Sequence, residues 1–140
     1  MIPQILEITS EQTLCIRHKS MWPSKPLNYV RLANDSEGRH FGLYINDEMI
    51  SVISLFVKNQ EAQFRKFATI PNYQGKGYGT LLLKRILSIV KDDHIYKIWC
   101  NARVDKSMYY ARFGMVETNN NFTKGGIDYV IMEKTLTEVK

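Results

Sequence analysis

The chain has 140 residues and a mass of 16.3 kDa, a length that suits one domain with its own core. Its composition, 44% hydrophobic and 24% charged, excludes a disordered segment, a collagen-like repeat and a disulfide miniprotein. Nineteen basic against fourteen acidic residues give +5, a bias toward anionic partners that does not choose among nucleic acid, a membrane surface and a phosphorylated cofactor.

Pro3 to Thr9 is expected as a short strand carrying Ile5 and Leu6. Ser10 offers an N-cap oxygen to a helix over Glu11 to Met21, with Thr13 where a full capping box wants Glu or Gln. Leu14, His18 and Met21 fall at helical spacing along it. Pro23 and Pro26 end that helix, and Leu27 to Ala33 reads as a second short one. His40 to Ile45, Met49 to Val57 and Glu61 to Ile70 are separated by turn residues at Asn46-Asp47-Glu48 and Lys58-Asn59-Gln60, which predicts an antiparallel meander. Gly77 or Gly79 opens a helix whose Leu82, Ile86, Ile89 and Val90 form one apolar stripe, closed by Asp92-Asp93. Ile95 to Cys100 reads as a buried strand and Val104 to Arg112 as a helix broken at Gly114. Met115 to Glu117 starts a strand, Asn119 to Gly126 is a polar loop, and Ile127 to Leu136 is the last strand. The predicted order is β-α-α-β-β-β-α-β-α-β-β in a single domain over residues 1–140. Strand, helix and strand from Glu61 to Cys100 make a βαβ unit. The fold class is therefore α+β, a mostly antiparallel sheet with one parallel pair.

The most informative segment is Pro71-Asn72-Tyr73-Gln74-Gly75-Lys76-Gly77-Tyr78-Gly79, between strand and helix. Closely spaced glycines let backbone N–H groups approach an anion without Cβ clashes. The helix start adds further N–H groups and a partial positive charge, and Lys76 adds a full one. Such a loop is a phosphate cradle, or else a glycine-rich turn that only starts a helix. With Thr80 after Gly79 it fits neither the dinucleotide fingerprint nor the Walker A pattern.

Gln74-Gly75-Lys76-Gly77-Tyr78-Gly79 resembles the Q/R-x-x-G-x-G/A signature of the GNAT superfamily of N-acetyltransferases. Tyr109-Tyr110-Ala111-Arg112-Phe113-Gly114-Met115 is similar to the family's F-Y-x-x-x-G-F element, with Met115 in place of the usual Phe. The order of elements matches as well, so the resemblance spans the chain. It implies a GNAT-like fold whose pre-loop strand splays from the Ile95 to Cys100 strand. It implies an acetyl-CoA-dependent N-acetyltransferase that moves acetyl to a primary amine of a small molecule or peptide, by direct attack in a ternary complex. By the same resemblance, Gln74, Gly75, Lys76, Gly77, Tyr78, Gly79 and Thr80 bind the pyrophosphate. Phe67, Ala68 and Thr69 offer backbone groups to the pantetheine arm, and Asn101 a hydrogen bond. Tyr110 is the implied general acid for the leaving thiolate, against the alternative of a core aromatic; ordinary values are ~10 for the phenol and ~8.5 for the thiol.

Several family members carry Glu about where Gln63 stands, and Gln63 accepts no proton at neutral pH. Glu61, which shares its face with Arg65 by period-two alternation, stays open as the base, as do His40, His18 and an ordered water. Lys84, Arg85 and Lys91 either extend the attraction for phosphates or form a solvated face. The resemblance places the acceptor between His18 to Tyr29 and Asn119 to Gly126. There Trp22, Tyr29 and Phe122 form either an aromatic wall for a small amine or caps on the core. Neither segment holds an acidic cluster, which disfavours a polyamine.

Two other readings stand beside this one. A non-catalytic CoA-binding or sensor module is kept open by Gln63, and a small nucleic-acid binder lacks any aromatic-basic or helix-turn-helix pattern. For that reason no nucleic-acid partner is expected, and no membrane partner is expected because there is no run of ~18 apolar residues. Met1-Ile2-Pro3-Gln4 opens no secretory signal. Cys15 and Cys100 read as buried reduced thiols of a cytoplasmic protein, and the scattered His18, His40 and His94 predict no metal. Analogy with the family extends to a homodimer.

Overall fold

Two tight turns organise the first half of the sheet. The computed structural model, which describes residues 2–136, runs β2 (Arg39–Ile45), β3 (Glu48–Lys58) and β4 (Glu61–Thr69) through Asn46-Asp47 and Asn59-Gln60. These four residues have φ of 48°, 68°, 52° and 66°. Paired left-handed residues make the hairpin turn whose twist matches the twist of its strands. β1 (Gln4–Ile8) lies antiparallel to β2, with Gln4 opposite Tyr44 and Ile8 opposite His40. With β5 (Lys97–Arg103), β6 (Val116–Lys124) and β7 (Ile127–Thr135), the sheet has seven strands in the order β1-β2-β3-β4-β5-β7-β6. β4 and β5 are its parallel pair. Three helices, α1 (Ser10–Met21), α2 (Tyr78–Asp92) and α3 (Ser107–Ala111), complete the α+β architecture. None of the described helices is long and apolar enough to cross a membrane.

Contacts gather into two compact units. One holds the chain up to Phe56 together with Arg65–Ile89; the other holds Val57–Phe64 and the described chain from Val90 onward. β3, β4 and α2 each contribute residues to both.

In the first unit, α1 starts one residue earlier than its sequence cue. Thr9, not Ser10, is the N-cap: its hydroxyl accepts from the Gln12 N–H at 3.3 Å, and the Gln12 side chain accepts from the Thr9 N–H at 2.8 Å. The capping box is therefore complete, with Gln12 in the role that Thr13 cannot fill. The helix turns Thr13, Leu14, Ile16 and Arg17 inward. Met21 is exposed and His18 half-buried, so the stripe through Leu14, His18 and Met21 is not its buried face. Cys15, expected inside, is exposed because its neighbours occupy the inner face. Ile16 packs with Val52 and Ala68, and Ile8, Met49 and Ile70 close around them.

Arg17 is the exception in this apolar layer, fully buried yet cationic. Its two terminal nitrogens donate to both oxygens of Asp35 at 2.9 Å, to the Val30 carbonyl at 3.0 Å and to Ser54 Oγ at 2.9 Å. Asp35 also accepts from the Leu32 N–H at 3.0 Å. This carboxylate explains why Leu27 to Ala33 is not a helix. The chain forms two short 3-10 turns instead, Leu27–Val30 and Asp35–Glu37, bent so that one side chain reaches both Leu32 and Arg17.

In the second unit, β5 pairs with β7 along its whole length, from Lys97 opposite Thr135 to Arg103 opposite Tyr129. β6 pairs with β7 from Val116 opposite Glu133 to Lys124 opposite Ile127. Most of Asn119 to Gly126 is therefore strand, not loop. Asparagines are poor strand formers, and the partner strand overrides that preference. Only Gly125-Gly126 remains as a turn, with φ of 59° and 78°. The polarity shows as an irregularity between Glu117 and Asn121, held by the Thr118 hydroxyl donating to the Ile131 carbonyl at 2.9 Å. The helix expected over Val104 to Arg112 shortens to a 3-10 turn, Val104–Lys106, and the five residues of α3.

Removing one partner of a buried ion pair strands the other, at a typical cost of about 3–5 kcal/mol. Asp35→Ala is expected to lower the unfolding free energy, read from urea titration, by that amount at neutral pH. Desolvation pushes the Asp35 carboxyl up, but Arg17 and the Leu32 N–H outweigh it and hold the group below its ordinary 3.8. A depressed value means the folded state binds fewer protons. The contribution is then complete above about pH 4 and fades as pH falls through the folded value, which a urea series from pH 7 to pH 3 reads directly.

Candidate functional site

The loop after β4 is built by short local bonds. The Ile70 N–H donates to the Ile50 carbonyl at 2.9 Å and keeps the strand paired to its last residue. Pro71–Tyr73 then turns as a 3-10 helix, with the Tyr73 N–H on the Ile70 carbonyl at 2.9 Å. Gln74 reaches back, its side-chain amide donating to the Thr69 carbonyl at 2.8 Å. Gly75 and Gly77 follow with φ of 74° and 85°.

The three glycines do two different jobs. A Cβ added at Gly75 or Gly77 would meet nothing within 4 Å, so these positions are glycine for backbone conformation, and open space lies over them. A Cβ at Gly79 would come within 3.2 Å of the Phe67 ring and 3.3 Å of Thr69 Oγ1, so this one lets α2 approach β4. After the loop, the Leu81 N–H donates to the Gly77 carbonyl at 3.2 Å. The amides of Tyr78 and Gly79, ahead of it, have no carbonyl one turn back. Pro71 to Lys91 contains no acidic residue, and the Lys76 ammonium lies 5.7 Å from the Tyr73 ring. Left-handed glycines, open space and a helix start free of acids fit a phosphate group.

Phe67, Ala68 and Thr69 end β4 beneath this loop. Ser51 Oγ donates to the Ala68 carbonyl at 3.0 Å and lies 2.9 Å from Thr69 Oγ1. Two residues earlier, Lys66 has φ of 53°, which breaks the regular alternation of the strand.

The second unit carries Tyr110 on α3. Its half-buried ring packs 5.7 Å from Phe64 and 5.3 Å from Tyr109, whose ring in turn lies 5.2 Å from Phe113. Burial first, then the neighbouring Cys100 and Tyr109, pushes the phenol well above the usual tyrosine range. The buried Cys100 thiol is pushed up to about 12 by desolvation. Asn101 is exposed on β5, opposite Ile131. The parallel pairing runs Glu61 to Lys97, Ala62 to Ile98 and Gln63 to Trp99, where the register ends. Lys97 lies 3.8 Å from Glu61 and 3.5 Å from Glu133.

The model of the acetyltransferase (GNAT) domain matches residues 8–136. The chain belongs to the GNAT family of N-acetyltransferases. It is 29% identical to the uncharacterised N-acetyltransferase YitI of Bacillus subtilis strain 168, over 95% of this chain and 96% of that protein. Its fold is similar to the ribosomal-protein-S18-alanine N-acetyltransferase of Escherichia coli, with a TM-score of 0.80 at 18% identity, covering 99% and 97% of the two chains. It is also similar to a GNAT acetyltransferase of Elizabethkingia anophelis solved with acetyl-CoA bound, with a TM-score of 0.75 at 18% identity, over 96% and 98%.

Within this GNAT chain, the loop residues Gln74 to Thr80 and the strand residues Phe67 to Thr69 fall together in the first unit, while Asn101 and Tyr110 fall in the second. The histidines open as bases carry structural bonds. His40 places Nδ1 2.7 Å from Ser54 Oγ and Nε2 2.8 Å from the Asp35 carbonyl, and His18 places Nε2 2.6 Å from the Lys25 carbonyl. Of the three aromatics expected near the acceptor, Trp22 and Tyr29 meet edge to face at 5.3 Å. Phe122 instead stacks on Tyr129 in the second unit. The sequence reading passed over Ser51 because nothing local marks it; its partners lie across the hairpin.

The two thiols should separate cleanly. Cys15 is exposed, and Cys100 is buried with its thiol pushed up to about 12. One equivalent of a thiol reagent is expected to react with the native chain at pH 8, at Cys15, and a second only in denaturant. Peptide mapping of the labelled cysteine checks the assignment.

Proposed function

We propose that this chain, acting as a single acetyltransferase domain, transfers the acetyl group of acetyl-CoA to the primary amine of a small molecule or peptide, by direct attack within a ternary complex. The observation that carries this reading is the loop at Gly75 and Gly77, left-handed and open, at the acid-free start of α2. Acetyl-CoA supplies an acyl group already activated as a thioester. The amine nitrogen forms the new C–N bond as the C–S bond breaks; the amine gives up one proton and the thiolate gains one.

The residues divide the work. Amides at Gly75 to Thr80 hold the pyrophosphate, with Lys76 adding charge. The backbone of Phe67 to Thr69 lines the pantetheine arm, and Asn101 hydrogen-bonds to it. A strand N–H donates to the carbonyl oxygen where negative charge develops. Tyr110 serves the sulfur. A phenol raised above 10 stays protonated at neutral pH, so it is always a donor. Complete transfer to a thiolate of ~8.5 is then uphill by at least about 2 kcal/mol. The phenol therefore hydrogen-bonds the sulfur as charge develops, and the amine proton balances the step through solvent. Water and Glu61, which lies 3.8 Å from Lys97, are the carriers that remain, since Gln63 holds no proton and His40 and His18 are committed to structure. Direct attack also fits the thiols, because Cys100 stays protonated and offers no thiolate nucleophile to take up an acyl group, and Cys15 lies on the exposed face of α1.

Titration calorimetry with acetyl-CoA is expected to show micromolar binding by the wild type and none by Gly77→Glu, which puts a carboxylate into the open space over the loop. Tyr110→Phe should bind acetyl-CoA as the wild type does and lose about 10²–10³ in kcat. No binding by the wild type would overturn the proposal. The kcat/KM profile should also show no descending limb from Tyr110 below about pH 10, because the phenol titrates above its ordinary value.

A further inference from the structure

Arg65 stands out in the first unit as a charge without a match. It sits on β4, half-buried, and among the described residues its side chain makes no ion pair and no hydrogen bond. The charges that act on it are Arg17 and Asp35. Asp35 is already spent, since both its oxygens are taken by Arg17 and one of them also by the Leu32 N–H. The cluster thus holds two guanidiniums against one carboxylate, with one positive charge left over. Burial and the like charge of Arg17 both disfavour the cation at Arg65, and Asp35 offsets only part of this. A partly desolvated guanidinium is costly to keep unpaired, and its planar fork is shaped to take a carboxylate through two parallel bonds.

Position gives the anion its place in the reaction. In the reading proposed above, phosphates lie at Gly75 to Thr80 and the arm runs back along Thr69, Ala68 and Phe67. The reactive end of the arm then arrives beside the residues that precede Phe67. Arg65 is two residues from Phe67 along the chain, within the reach of a compact molecule whose amine meets the thioester. Trp22 and Tyr29, paired edge to face, add apolar surface in the same unit.

We propose that Arg65 binds a carboxylate carried by the acceptor, so that this acetyltransferase acts on a compact amine bearing an acid group. The proposal rests on the acetyltransferase reading and adds the chemical class of the acceptor. It also gives a reason for Gln63: a glutamate there, on the same face as Arg65 by alternation, would compete for the guanidinium and repel an acidic acceptor.

Matched pairs of free amino acids and their amides, assayed by thiol release from acetyl-CoA, test it. The wild type should favour the acids by about tenfold or more in kcat/KM, the usual worth of a hydrogen-bonded charge. Arg65→Gln should abolish the preference, chiefly through KM for the acid, and Arg65→Lys should keep part of it. Neither variant should weaken acetyl-CoA binding by calorimetry or lower the melting temperature, since the Arg65 side chain has no partner among the described residues. Equal turnover of acids and amides by the wild type would overturn the proposal, as would a preference that survives Arg65→Gln or an acetyl-CoA affinity that falls with it. If acetyl-CoA binds and no acid-bearing amine is acetylated, the carboxylate proposal fails. Failure of acetyl-CoA to bind would instead fell the acetyltransferase reading beneath it.

Discussion

The first unit is organised around one buried guanidinium. Arg17 leaves α1, enters an apolar layer and draws Val30, Asp35 and Ser54 to itself. Each of those partners belongs to a different piece of chain: a 3-10 turn, the next 3-10 turn and strand β3. His40 joins from β2 by bonding Ser54 and the Asp35 carbonyl. The tautomer follows from the partners. Nε2 faces a carbonyl and must donate, so Nδ1 accepts from the Ser54 hydroxyl, whose oxygen remains free to accept from Arg17. An apolar residue of similar volume at position 17 would fill the space but would not dictate where 27–38 lies. Arg17 also leaves its Nε buried without a partner among the described residues, a sign that position rather than maximal bonding set this arrangement.

The same unit shows how one glycine-rich segment meets two demands. At Gly75 and Gly77 the backbone enters the left-handed region, where a side chain would be strained and would also stand in the open space above the loop. At Gly79 the demand is steric, because the helix must close on Phe67 and Thr69. Gln74 ties the loop to the end of β4, and Ser51 ties that end to β3. A loop fixed at both ends presents its amides in one arrangement before any ligand arrives, so little ordering is charged against binding.

Much of this was legible in the sequence because it is local. The hairpin turns announce themselves through Asn46-Asp47 and Asn59-Gln60, the apolar stripe of α2 through Leu82, Ile86 and Val90, and the strand-to-helix loop through its glycines. What stayed hidden depends on partners distant in sequence. Nothing near Arg17 says that it lies inside, since its acid is 18 residues away. Nothing in Asn119-Asn120-Asn121 suggests a strand, since the strand exists through its pairing with β7. The left-handed Lys66 is likewise silent in the sequence Arg65-Lys66-Phe67. Of the site, the loop's form was readable and Tyr110 could be named. The half-buried, unmatched state of Arg65 required the fold.

Lys66 bears on why the site sits where it does. A non-glycine residue in the left-handed region costs on the order of 1–3 kcal/mol and persists only where its surroundings over-determine it. Here the strand is pinned on both sides of the strained residue. Upstream, Glu61, Ala62 and Gln63 are held in parallel register with β5. Downstream, Ser51 and Ile50 hold Ala68 and Ile70. A regular strand would carry the period-two alternation through Arg65 and Phe67 unbroken; the kink at Lys66 resets it. The residues after the kink lead into the glycine loop, and the residue before it is Arg65, whose side chain is unmatched among the described residues. In the proposed reading, strain at this point is the local cost of letting one strand serve the cofactor with its backbone and the acceptor with a side chain.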